Sequence, residues 1–167
     1  MSTRTNPKKR NCRMSKKPDY FDYAEDDYNG FIDCYNVGER YNFLAALAQE
    51  ACEKYLKHLI DIYYKPKTDL KTARRDGILR THSLQALMSF LKDEMGVNVT
   101  AEIYDQISKA DGYIYSTTEP GPDSRLANKY DIERCAEAIK TTRNFALEYI
   151  QETDKKGMNN ERENNRN

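Results

Sequence analysis

The stretch Tyr41-Asn42-Phe43-Leu44-Ala45-Ala46-Leu47-Ala48-Gln49-Glu50-Ala51-Cys52-Glu53-Lys54-Tyr55-Leu56-Lys57-His58-Leu59-Ile60-Asp61-Ile62-Tyr63 decides the fold class. Leu44, Leu47, Ala48, Ala51, Tyr55, Leu59 and Ile62 recur at steps of three and four, the spacing at which side chains share one face of an α-helix. The pattern predicts a helix from about Arg40 to Tyr63 with one buried stripe. It must close before Pro66, which has no backbone N–H to continue the ladder.

Working outward, the same period recurs on both sides. Upstream, Tyr20–Tyr35 predicts a first helix with an acidic, Tyr-rich face, weakened by Gly30, and Asn36–Glu39 a short turn. Downstream, Thr81 reads as the N-cap of a helix that buries Leu84, Leu87, Met88 and Leu91 and ends at Gly96. Thr100 is placed to cap a short helix with Ile103, Ile107 and Ala110 inside. Gly112–Asp123, with two prolines and two glycines, reads as an extended loop. A final helix from about Tyr130 to Gln151 would bury Ile132, Cys135, Ala136, Ile139, Ala146 and Ile150. No segment alternates long enough to make a strand. The expected fold is all-α, an up-and-down bundle of four to five helices.

Charge is segregated along the chain. Residues 1–18 hold seven basic residues and no acid, and residues 19–27 then hold Asp19, Asp22, Glu25, Asp26 and Asp27. Residues 1–18 read as a disordered basic tail, either a solvated leader or an electrostatic contact for RNA or an acidic partner. Residues 19–154 form the expected folded domain, and the Asn-rich stretch 155–167 a disordered polar tail. There is no internal repeat.

With 27 basic and 27 acidic residues and a mean hydropathy of −0.94, the chain is not a uniformly basic nucleic-acid coat. No apolar stretch approaches the roughly 18 residues needed to cross a bilayer. The basic N-terminus leads into Pro18-Asp19-Tyr20 rather than an apolar segment, unlike a secretory signal. Cys12, Cys34, Cys52 and Cys135 lie too far apart for a zinc or redox motif, and read as reduced thiols of a cytoplasmic protein. No metal or cofactor is expected. Gly121-Pro122-Asp123-Ser124 lacks the lysine of a phosphate-binding loop. With only His58 and His82, acid–base chemistry has few players, and His58 beside the long helix's stripe reads as packing.

Three segments carry a family resemblance. Tyr41 to Leu59, with its Glu53-Lys54-Tyr55-Leu56-Lys57, resembles the Ala/Gln-rich helix of HEPN domains, which ends in Glu-Lys-x-Leu-Lys. Thr81-His82-Ser83-Leu84-Gln85-Ala86-Leu87 is similar to that family's Thr-His-x-Leu helix start. Tyr115-Ser116-Thr117-Thr118-Glu119-Pro120-Gly121 is similar to its Arg-Tyr-Pro-Gly loop, followed by an Ala-containing last helix. The likeness spans about residues 20–152. It implies a four- or five-helix bundle, commonly a homodimer, that binds RNA or nucleotides. Many relatives are metal-independent ribonucleases of toxin–antitoxin or phage-defence systems, some beside a nucleotidyltransferase-like antitoxin. Their signature is an Arg followed by a polar residue, then a His after four to six intervening residues. The His works as general acid or base on the ribose and leaving oxygens, and the Arg offsets phosphate charge.

Arg143-Asn144 fits the start of that signature, but Glu148 stands where a His could complete it. Arg143 falls near the apolar stripe, so it requires either a phosphate-filled groove or an acidic partner. A second formal match is Arg75 and His82, in a segment holding Lys65, Lys67, Lys71, Arg74, Arg75 and Arg80 against Asp69 and Asp76. There His82 is a catalytic candidate or sets the start of its helix. In the loop, Thr118-Glu119 replaces the family's Arg-Tyr. Tyr20, Tyr23, Tyr28, Tyr113 and Tyr115 are candidate faces for base stacking, or core residues. The catalytic candidates are therefore Arg75, His82, Arg143 and Glu148, and the ligand-binding candidates Arg143, Asn144, Arg74, Arg75, Arg80 and Tyr113. The expected function is a dimeric module that binds RNA, a nucleotide or a partner protein without an intact catalytic motif. A ribonuclease effector and a structural interaction module are the alternatives.

Overall fold

A computed structural model describes residues 17–117 and 120–164, with side chains up to residue 157. Among the described residues every regular element is a helix: α1 (Tyr20–Asn36), α2 (Phe43–Tyr63), α3 (Asp69–Ile78), α4 (Leu84–Met95), α5 (Ala101–Ser108), α6 (Tyr113–Ser116) and α7 (Lys129–Asn164). Five of them, α1, α2, α4, α5 and α7, make the expected all-α bundle, and α3 and α6 are short additions.

Local chemistry sets the ends. At the start of α1, Asp19 Oδ1 accepts from the Phe21 and Asp22 N–H groups at 3.0 and 3.3 Å, while Asp22 Oδ2 accepts from Asp19 N at 2.9 Å. That reciprocal box satisfies backbone donors the helix cannot. Thr100 caps α5 as expected, accepting from Ile103 N at 3.2 Å. Gly96 stops α4 with φ of +67°, a left-handed conformation that favours glycine. The cap of α4 is Ser83, whose Oγ accepts from Ala86 N at 3.3 Å, and not Thr81. Thr81 instead accepts from Ser83 N at 3.2 Å and braces the approach.

α2 is the axis of the bundle. α1, α4 and α7 all pack on it, and α5 lies against α4 and α7. The single stripe expected for α2 understates its burial. Leu44, Ala48, Ala51, Tyr55 and Leu59 are fully buried, but so are Ala45, Cys52, Leu56 and Ile60 on other sides, whereas Ile62 is 38% exposed. The alanines let neighbouring helices approach closely from several directions. α1 seals one flank by burying Ala24 and Phe31 completely, the latter worth about 2 kcal/mol.

Three expectations change. The basic segment read as a loop contains α3, capped by Thr68 Oγ1 accepting from Lys71 N at 3.3 Å. None of its residues is buried, so it leaves no apolar periodicity to read. The Gly112–Asp123 loop begins with the single turn of α6. The last helix starts at Lys129, where Asn128 Oδ1 accepts from Tyr130 N and Asp131 N at 2.9 and 3.1 Å. It continues past Gln151 to Asn164, into the segment expected to be a disordered tail. Glu152, Lys155 and Lys156 are good helix formers that extend a helix in solvent without needing a core. Residues 1–16 of the basic tail expected over 1–18, Cys12 among them, lie outside the described residues, as do Thr118 and Glu119.

Candidate functional site on the polar face of the central helix

Asn42, just before α2, and Gln49, Glu53 and Lys57 within it are spaced by seven, four and four positions. This places them on one side of the helix axis. Gln49, Glu53 and Lys57 are 1%, 6% and 5% exposed, so each needs internal partners. The partners come from chain segments that cross this face.

Asn42 Nδ2 donates to Thr117 O at 2.6 Å, and its Oδ1 accepts from Ala127 N at 2.7 Å. Gln49 uses both ends of its carboxamide. Nε2 donates to His82 O at 2.8 Å and to Asp111 Oδ1 at 3.2 Å, and Oε1 accepts from Tyr113 N and Ile114 N at 2.6 and 2.9 Å. Asp111 Oδ2 then accepts from Gln85 N at 3.1 Å and Ser83 Oγ at 3.3 Å, joining α6 to the start of α4.

One turn further along α2, Glu53 Oε1 accepts from Lys57 Nζ at 2.5 Å, and Oε2 lies 3.0 Å from His82 Nδ1. A carboxylate only accepts, so Nδ1 carries the proton and the imidazole is fixed in one orientation. The Glu53 and Lys57 side chains are 9% and 6% exposed, while the His82 side chain is 46% exposed. The exposed Tyr115 ring meets the imidazole edge-on at 5.8 Å between centroids. An oriented histidine with a buried carboxylate behind it and an aromatic ring beside it therefore reaches the surface here. The α3 segment leads directly into it.

The other candidates fall elsewhere. Arg143 Nε and Nη2 donate to Glu25 Oε1 and Oε2 at 2.7 and 3.0 Å, Tyr55 OH donates to Glu25 Oε1 at 2.6 Å, and the guanidinium lies 4.9 Å from the Tyr28 ring centre. The hydrogen bond from Arg143 holds the Glu25 carboxyl below its usual range, against the opposing effect of burial. Burial, then Glu25, pushes the Tyr55 hydroxyl up. Of the two expectations for Arg143, the geometry is that of an arginine paired with an acid. Asn144 points to solvent. Glu148 lies in a separate small cavity of about 180 Å³ with Val97, Thr100 and Tyr149. Five positions on a helix turn a side chain by about 140°, so Arg143 and Glu148 face different neighbours.

Arg75 Nε is bonded to Asp76 at 3.3 Å and Arg74 Nη1 to Glu94 at 2.5 Å, so Arg75 and His82 make separate partnerships. Arg80 is exposed. Tyr113 corrects its expectation as a ligand-facing ring, because it is 2% exposed and its hydroxyl donates to Asp131 Oδ1 at 2.9 Å. Burial first, and Asp131 second, push that hydroxyl up to about 12. Tyr23 and Tyr115 are exposed. His58 is buried and packs between Phe21 and Tyr63. Cys52 and Cys135 are buried thiols pushed up to about 12 by desolvation, and Cys34 is partly exposed. Among the described residues no group of three His, Cys, Asp or Glu side chains is arranged to hold a metal ion. No described helix is long and apolar enough to cross a membrane.

Sequence reasoning missed Glu53, Lys57 and Gln49 as a functional unit. Their signal was available, as polar side chains at helical spacing inside an apolar helix.

A family model for the HEPN domain matches residues 18–152. No curated protein matches the chain, and no solved structure matches it. The family match runs from the cap of α1 into the second half of α7 and takes in every helix that packs on α2. The chain belongs to the HEPN domain family.

Proposed function

We propose that this protein is a non-catalytic module that binds single-stranded RNA over α3 and the His82 corner. The observation that carries this reading is the cation cluster leading into His82. Lys65, Lys67, Lys71 and Arg80 are exposed, and the segment holds six basic residues against two acidic ones. A phosphate backbone gains affinity there by releasing its counterions, and the Tyr115 ring is available to a base. The engagement of Arg143 by Glu25, with Glu148 in place of the family histidine, supports binding without turnover. The homodimer that the family implies belongs to this reading, and sedimentation velocity tests it.

Fluorescence anisotropy with a short labelled oligouridylate over a salt series tests the binding. Affinity should fall steeply with salt. The Lys65→Glu/Lys67→Glu/Lys71→Glu variant should lose about tenfold or more and show a shallower salt slope. Equal affinity in that variant would remove α3 from the site.

A second reading, a metal-independent ribonuclease, is favoured by one observation, the 3.0 Å contact between His82 Nδ1 and the buried Glu53 carboxylate. A carboxylate that orients an imidazole in this way suits acid–base chemistry. Cleavage of RNA in chelator that is lost in His82→Ala would replace the first reading with the second.

A further inference from the structure

The outward face of α1 carries charge that the rest of the bundle does not answer. The helix holds Asp22, Glu25, Asp26, Asp27 and Asp33 and no lysine or arginine. Packing spends two of these acids, since Glu25 meets Arg143 and Asp27 meets Lys54. Asp22, Asp26, Asn29 and Asp33 follow at steps of four, three and four, which sets them in one stripe along the helix. All four are exposed, and Tyr23 beside them is 55% exposed. None of the three acids in the stripe makes an ion pair among the described residues.

Two features of the stripe cost helix stability as they stand. Asp22 and Asp26 are like charges one turn apart. Asp33 lies in the last turn, at the negative end of the helix dipole, and that turn has no basic residue. Cations laid along the face relieve both costs. A run of cations enters the fold at this same helix. Arg4, Lys8, Lys9, Arg10, Arg13, Lys16 and Lys17 stand ahead of Pro18 with no acid among them. Lys17 and Pro18 are exposed, immediately before the Asp19 cap of α1.

We propose that the basic segment 4–17 docks in cis along the Asp22–Asp33 stripe of α1. The stripe is about 16 Å long at 1.5 Å per helical residue, and about five residues of extended chain cover it. With a reversal at Lys17-Pro18, Lys16 and Arg13 come alongside the three acids, and Lys8-Lys9-Arg10 have length to spare. Each exposed ion pair is weak and screened by salt. The covalent tether compensates, because it holds the segment at an effective concentration on the order of millimolar. Docked there, the segment's cations are answered by α1, and α3 stays the cationic surface open to solvent. RNA binding over α3 uses other residues and is not required for this contact.

Paramagnetic relaxation in the full chain tests the contact. A nitroxide on Cys12, in a Cys34→Ser background that removes the partly exposed thiol, should broaden the amide resonances of residues 22–33 at low salt. At about 1 M salt, where the screening length is about 3 Å, the broadening should disappear. Lys8→Glu/Lys9→Glu/Arg10→Glu/Arg13→Glu should abolish it at low salt, and Asp26→Asn/Asp33→Asn should sharply reduce it. The Asp26 and Asp33 side chains hold no other residue, so the second variant should keep the wild-type helical signal. Broadening that persists in both variants would overturn the assignment. So would broadening confined to residues 17–21, or strongest around Asp61, Glu148 and Glu152 on other helices. Broadening of an isotope-labelled chain by a separate nitroxide-bearing chain would also overturn it, because the segment would then sit on a second copy.

Discussion

Arg143 and Glu25 lie 118 residues apart in the chain and meet through two parallel hydrogen bonds, with Tyr55 OH closing the same carboxylate from α2. The contact ties α1 to α7 across the flank of α2. It uses the arginine that the family signature would commit to phosphate.

Arg143→Ala should therefore act on stability. The pair is about 30% exposed on both sides, which moderates its worth. A loss of about 1–2 kcal/mol is expected in urea unfolding, with RNA affinity within about twofold of wild type. A tenfold affinity loss at unchanged stability would instead put Arg143 in the ligand site.

The same carboxylate gives a pH dependence with a definite sign. Glu25 is held below its ordinary 4.5 in the folded state, so the unfolded chain takes up its proton first as pH falls. The stabilisation is complete above about pH 5 and is lost as pH drops through the lowered folded value. Asp131 adds in the same direction. Burial would raise it, but hydrogen bonds from Asn128 N and Tyr113 OH and the charge of Arg125 outweigh this. Thermal melts between pH 6 and pH 3 should show a decline that is shallower in Glu25→Gln. A curve identical to wild type would mean that Glu25 is unpaired in solution.

Glu53→Ala should be among the most damaging single changes. It leaves the buried Lys57 ammonium without its carboxylate, at a cost of about 3–5 kcal/mol, and frees the His82 ring. The double variant Glu53→Ala/Lys57→Met removes both charges and should recover part of that loss. Failure to recover would show that Glu53 stabilises the fold through His82 rather than through Lys57.

The helices that face the core were legible because each carries an apolar stripe and a recognisable stop or start, as with Gly96 and Thr100. α3 was not, because a helix that buries nothing leaves charge as its only pattern. The site was legible only in part. His82 and the α3 cations stand out as residue types, but what orients His82 is Glu53, which lies 29 positions earlier and inside a stripe that reads as apolar. The partner of Arg143 was equally hidden, since an acidic first helix offers several carboxylates and only packing selects Glu25. Tyr113 and Tyr115 are two positions apart and alike as residues, yet Gly112, with φ of +89°, starts a turn that buries the first and exposes the second.

Asn42 holds Thr117 O with one end of its side chain and Ala127 N with the other. The two shoulders of the connection into α7 are thus clamped at a single residue. Arg125, inside the span between them, adds a second attachment to α7, with its guanidinium 3.4 Å from Asp131 Oδ2 and over the Tyr113 ring. A change at Asn42 itself would release both shoulders together.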